Sequence, residues 1–124
     1  MTTEALKYIS DCMDELSIPY EFMEWTGGLS FPFFVGEYSD IEPQNEDGMS
    51  ACTFILTGTT NQSYMTLETI KEMVKDYFTD TGKTAILDSG SGIAVSFSTS
   101  FPVPTGETGL RRIQINLNIK EWRI

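Results

Sequence analysis

Four short stretches carry residue types whose spacing could support chemistry. TGKT at 81–84 matches the end of the phosphate-binding loop G-x-x-x-x-G-K-[ST], in which backbone amides and a lysine hold phosphates. Its first glycine should stand at position 77, which is Tyr77. The stretch also leads from a predicted helix into a predicted strand, the reverse of what such a loop needs. PQNEDG at 43–48 has Asn45, Asp47 and Gly48 at the spacing of a calcium loop. Pro43 stands at position one and Phe54 at position twelve, where carboxylates are required, so the segment reads as a hairpin turn at Asp47-Gly48. DSGSGIAV at 88–95 lacks the third glycine of a dinucleotide fingerprint and has no helix after it. NQS at 61–63 fits a glycosylation sequon, which is meaningful only in a secreted chain.

Histidine is absent, which removes Ser-His-Asp triads, Cys-His dyads and histidine-ligated zinc. Acid–base chemistry near neutral pH would then need a carboxylate or lysine with a strongly shifted pKa. Cys12 and Cys52 form no C-x-x-C and read as small core residues rather than a bridge or a metal site. No catalytic, cofactor-binding or metal-ligating set emerges. A binding or structural role is expected, with no cofactor.

The bulk properties agree with this expectation. A chain of 124 residues with 40% apolar and 21% charged residues is large enough for one domain, spanning 1–124, with its own core. Eighteen acidic residues against eight basic ones give a formal charge of −10. Gripping DNA or RNA depends on Lys and Arg displacing counterions, and no basic run exceeds Arg111-Arg112, so no sequence-specific nucleic-acid binding is expected. No apolar run approaches the roughly 18 residues of a membrane span. The acidic, amphipathic start is not a signal peptide, so a soluble intracellular protein without membrane contact is expected.

The elements that must position any site follow from periodicity. Leu6, Ile9, Met13 and Leu16 recur at helical spacing, with Thr3 as a cap and Pro19 as a stop. YEFMEW predicts a short strand and FPFFVGEYSDIEP a longer one. ACTFILTGTT predicts a central strand with Cys52, Phe54 and Leu56 on one face and Ile55 on the other. A second helix carries Leu67, Ile70, Met73, Val74, Tyr77 and Phe78, with Thr66 as cap and Gly82 as left-handed terminator. KTAIL, GIAVSFSTS and the terminal stretch RRIQINLNIKEWRI predict three more strands. The Pro- and Gly-bearing link FPVPTGETG suggests that the last two extend past the sheet as a stiff arm. The order α-β-β-β-α-β-β-β predicts an α+β domain, a mostly antiparallel β-sheet with two helices packed on one face.

Two features point outward. Phe22, Trp25, Phe31, Phe33, Phe34 and Tyr38 crowd into 17 residues, more than one side of a sheet can hide, although the core should take most of them. The terminal strand alternates Ile113, Ile115, Leu117 and Ile119 with polar residues. Glu121 then falls on the apolar side, and Trp122 and Ile124 fall on the polar side. A bulge near Lys120, or a strand that overruns its core, would account for the change. Trp122 then either anchors a neighbouring subunit or folds over the first helix of its own.

In element order, in length and in the stretches FPFFVGEYSDIEPQNEDGMSACTFILTGTT and GSGIAVSFSTSFPVPTGETGLRRIQINLNIKEWRI, the chain resembles the tail-terminator (tail completion, tail-to-head joining) proteins of long-tailed phages and prophages. The resemblance implies a non-enzymatic virion structural protein of the tail or neck, present in the host cytoplasm during assembly. It implies association with itself in a ring, possibly a hexamer, at the end of the tail tube, and partners among tail-tube and head-completion proteins. A ring around a DNA passage would gain from an acidic lumen. Candidate subunit-interface residues are Trp122, Ile124, Phe101, Val103 and Phe33. The alternatives are another neck or minor tail component, a small cytosolic enzyme using carboxylates, and a cytosolic adaptor pairing through an exposed strand.

Overall fold

The computed structural model describes residues 1–28, 30–41 and 49–122. Its order is α1 (Thr3–Glu15), β1 (Tyr20–Phe22), β2 (Phe33–Ile41), β3 (Met49–Thr60), α2 (Tyr64–Phe78), β4 (Lys83–Ile86), β5 (Gly92–Val103) and β6 (Arg111–Trp122). The fold is α+β, as the periodicities predict. The predicted turn at Asp47-Gly48 and the candidate residue Ile124 lie outside the described residues.

Both helices begin on a hydroxyl cap, one turn or less upstream of the expected ones. Thr2, not Thr3, accepts the Ala5 amide at 3.1 Å. Ser63, not Thr66, accepts the Met65 amide at 3.2 Å, so Thr66 lies inside the first turn. Each upstream residue keeps an extended backbone, which a cap needs in order to turn its oxygen onto the first free amides. At the far end of α2, Thr79 takes the positive φ of 61° and ends the helix. Gly82 (φ 102°) turns the chain into β4 instead of terminating α2.

The strands form one sheet in the order β1-β2-β3-β6-β5-β4. All neighbours are antiparallel except β1 and β2, which run parallel because residues 23–32 cross back instead of making a hairpin. The chain's last strand is therefore central, held between β3 and β5. Its pairing with β3 runs without a register shift from Arg111↔Thr60 to Trp122↔Met49. The expected bulge near Lys120 is absent. A one-residue shift occurs in β5 instead, between Phe97 and Thr99. No arm leaves the sheet: β5 stays paired as far as Val103↔Arg112, and residues 104–110 close the hairpin.

One core lies between the helices and one face of this sheet. Ala5, Ile9, Cys12 and Met13 of α1 and Leu67, Val74 and Phe78 of α2 pack on Phe34, Phe54, Leu56, Ile93, Val95 and the four alternating residues Ile113, Ile115, Leu117 and Ile119. Both cysteines are free and buried. Gly58 and Gly36 make room for rings on the covered face. A Cβ at Gly58 would meet the Phe34 ring at 2.2 Å, and one at Gly36 would meet the Phe54 ring at 2.4 Å. Among the described residues, the opposite face of the sheet carries no helix.

Candidate functional site

Strict alternation divides each strand between the covered face and the open one. On β6 the open face receives Arg112, Gln114, Asn116, Asn118, Lys120 and Trp122. Glu121 takes the covered side and is only 4% exposed. It lies at the start of α1, where the Thr2 amide donates to its carboxylate at 3.4 Å. The helix dipole favours an anion there. Trp122 therefore does not fold over α1. Its indole lies on the other face, over Gly92, where an added Cβ would stand 3.8 Å from the ring. It remains 39% exposed.

The register separates the candidate interface residues into two groups. At one end of the open face, Phe33 of β2, Thr59 of β3, Arg112 of β6 and Val103 of β5 form a row across four strands. Phe101, one step along β5 on the same face, is 44% exposed. Phe33 stacks on Trp25 (5.1 Å between ring centres) and touches Phe31 (5.7 Å). The Trp25 indole is fixed by donating to the Gly28 carbonyl at 2.8 Å. Of the six crowded aromatics only Phe34 enters the core. Phe22 and Tyr38 stack on each other at the exposed margin (6.1 Å), which corrects the expectation that the core takes most of them.

Trp122 belongs to the other end. The row there is Ile86 of β4, Gly92 of β5, Trp122 of β6 and Met49 of β3. Ile86 is 77% exposed. Nine residues of β6 lie between Arg112 and Trp122, about 30 Å along a strand. Between the two ends the face is mixed, with Val35 and Ile55 among polar side chains. Gln114 donates to Asn116 (3.0 Å), which donates to Thr99 (3.1 Å), beside Thr53, Thr57, Ser96 and Asn118.

Two concavities flank this surface. A groove of about 260 Å³ lies at the Phe33 end, between the start of α2 and the β5–β6 hairpin. It is lined by Tyr64, Pro102, Val103, Leu110, Arg111 and Arg112. The Tyr64 hydroxyl is buried without a hydrogen-bond partner among the described residues. Arg111 donates to the Gln62 carbonyl (3.1 Å) and Arg112 to the Thr59 hydroxyl (3.3 Å). Among the described residues neither guanidinium has a carboxylate partner, in a chain with more than twice as many acids as bases.

The second concavity, about 160 Å³, lies between α1 and the β4–β5 turn and contains Glu4, Lys7, Tyr8, Asp11 and Asp88. Two of its carboxylates have structural work. Glu4 accepts from the Ser89 amide (3.0 Å) and hydroxyl (2.7 Å), and Asp11 pairs with Lys7 (3.0 Å). Lys7 is raised above its usual pKa, first by the Asp11 hydrogen bond. Burial pushes Tyr8 up to about 12.

The chain matches no protein-family model and no curated protein. Sequence reasoning missed Ile86, Met49 and the Arg111–Arg112 groove. Ile86 and Met49 join Trp122 only through strand register, and a pairing of distant strands leaves no local signal. The unpaired arginines were visible as a basic pair, but their lack of partners was not.

Proposed function

We propose that this chain is a structural subunit of a phage or prophage tail, a tail terminator that closes into a ring at the end of the tail tube. The observation that carries this reading is the uncovered sheet face, which leaves Trp122 and Ile86 at one end and Phe101 at the other partly in water. On the open sheet of a monomer, a tryptophan held over a glycine leaves about two fifths of its surface in water. At an interface such a ring is the kind of residue that dominates binding energy. The resemblance in element order and in the quoted stretches supports placement in the tail.

The charge distribution fits the same reading. α1 carries Glu4, Asp11, Asp14 and Glu15, and α2 carries Glu68, Glu72 and Asp76. Among the described strand residues, only Glu21 and Glu37 point to the open face. A ring with its helices turned inward would present a negative wall to passing DNA, which repels phosphate and prevents sticking.

The test is a capping assay. Purified protein is added to polymerising tail-tube subunits, and the products are viewed by electron microscopy. Arrested tubes with a ring of density at one end are expected. Tubes that grow to the same lengths with and without the protein, and carry none of it, would refute the assignment.

A further inference from the structure

The groove at the start of β6 gathers positive charge that the rest of the described chain does not neutralise. Arg111 donates to the Gln62 carbonyl at 3.1 Å, and Arg112 donates through Nε to the Thr59 hydroxyl at 3.3 Å. Each contact holds its guanidinium by one N–H and leaves the rest of the planar fork open. α2 begins beside Arg111 with no acid in its first turn, so the positive end of its dipole adds to the same field. Glu68, further along α2, is paired with Lys71 at 3.1 Å. Glu107, the one carboxylate of the hairpin loop, makes no ion pair with either arginine.

The rest of the groove is apolar and already built. Pro102, Val103, Pro104 and Leu110 of the hairpin and Tyr64 of α2 line it. The hairpin loop is tied to itself: the Glu107 amide donates to the Thr105 hydroxyl, which donates to the Leu110 carbonyl, each at 3.1 Å. Both prolines have a fixed φ. A partner entering here therefore has little chain to order, and ordering is a main cost of binding. The volume, about 260 Å³, lies just below that of an ordinary small-molecule pocket, so it suits a few side chains of a peptide.

We infer that this groove receives an acidic peptide segment of another protein. A carboxylate of the segment lies on the Arg111 and Arg112 guanidinium groups, and an apolar side chain beside it packs on Val103 and Leu110. Charge complementarity decides the occupant, because a carboxylate matches a guanidinium fork with paired, charge-assisted hydrogen bonds. The formal charge of −10 repels an acidic partner at a distance. At physiological salt that repulsion is screened beyond ~8 Å, whereas the guanidinium contact is direct. A nucleic acid also brings anions, but it needs a track of free basic side chains along its backbone. Lys71 of α2 is already paired with Glu68 and Glu72, and the apolar wall offers nothing to a phosphate. The assignment stands apart from ring closure and does not require it.

The test is a titration of the isotope-labelled chain with the peptide acetyl-Leu-Asp-Leu-Glu-amide, followed by the NMR shifts of its backbone amides. Saturable shifts are expected at residues 62–64, 103–105 and 110–112, with a dissociation constant of about 1 mM or tighter. The neutral peptide acetyl-Leu-Asn-Leu-Gln-amide should bind at least about tenfold more weakly. Arg111→Gln/Arg112→Gln should weaken binding of the acidic peptide by a similar factor. Lys7→Gln/Lys120→Gln removes the same net charge away from the groove and should bind as the parent does. If the arginine variant does not fold, the two peptides compared on the parent chain still decide. Absence of groove shifts with the acidic peptide, equal affinity for the two peptides, or equal weakening in the two variants would each overturn the inference. A thymidine octanucleotide that shifts the same amides at lower concentration than the acidic peptide would overturn it in favour of nucleic acid.

Discussion

Trp122→Ala should weaken assembly and lower stability by measurable and separable amounts. Trp122 is 39% exposed, so about three fifths of its surface is covered. A tryptophan buries up to about 250 Å², so roughly 150 Å² of contact is lost. At about 25 cal/mol per Å² that is an upper bound near 4 kcal/mol. The compact unfolded chain and the methyl that remains reduce it to about 2 kcal/mol. Truncation on an open face leaves no enclosed cavity, so the larger cost of a buried tryptophan, about 3–5 kcal/mol, does not apply. For a domain of this size the melting temperature should fall by about 6–10 °C. An interface anchor is worth at least about 2 kcal/mol, so association should weaken by roughly thirtyfold or more. Thermal melting by circular dichroism gives the first number, and light scattering against concentration gives the second. Trp122→Arg is a useful companion, because its stem covers Gly92 while its charge opposes a dry contact. If Trp122→Ala assembles with the same concentration dependence as the parent, the anchor reading is refuted. If it does not fold at all, the indole belongs to its own subunit's stability.

Three further outcomes follow from the fold. Gly58→Ala sets a Cβ 2.2 Å from the buried Phe34 ring and should cost about 1–3 kcal/mol, which Phe34→Leu in the same chain should partly restore; an unchanged melting temperature would show that the ring moves freely. Burial pushes Tyr20 up to about 12 from an ordinary value of 10, so its neutral form is favoured in the folded state. That contribution is complete below pH 10 and is lost as pH rises through about 12; denaturant titrations at several alkaline pH values should show this decline, and it should be shallower in Tyr20→Phe. Glu121→Leu restores the apolar alternation of β6 yet should lower stability by about 1 kcal/mol or more, because the Thr2 amide loses an acceptor at the start of α1; a variant more stable than the parent would contradict this role.

The α+β architecture was legible because it rests on local periodicity. The stripes of α1 and α2 and the alternation of β3 and β6 each show within one segment. Caps were legible only to within a few residues. Thr2 and Thr3 stand side by side, as Ser63 and Thr66 nearly do, and only the point where the backbone turns helical decides between them. The parallel pairing of β1 with β2 depends on the path of residues 23–32, which carries no period. The aromatics misled because rings suit either side of a strand. With one face covered, Phe34 went inside while its neighbour Phe33 went out. The candidate surface was half legible. Its residues were named from composition, but their separation into two ends is set by long-range register.

The break at the end of β6 follows from what lies above and below the strand. The apolar positions from Ile113 to Ile119 lie under the helix layer. One step further the strand passes beneath the beginning of α1, where amide groups and the positive end of a dipole replace aliphatic side chains. A carboxylate suits that position better than another isoleucine, so Glu121 turns inward without any change of register. On the opposite face, Gly92 and Met49 flank the next residue where Asn118 has Thr53 and Ser96, so an indole can lie over Gly92 at Trp122. Both departures from the pattern thus mark the limit of the subunit's own core. Beyond that limit the described residues leave Trp122 39% exposed, and a contact with another copy, as proposed, would complete its burial.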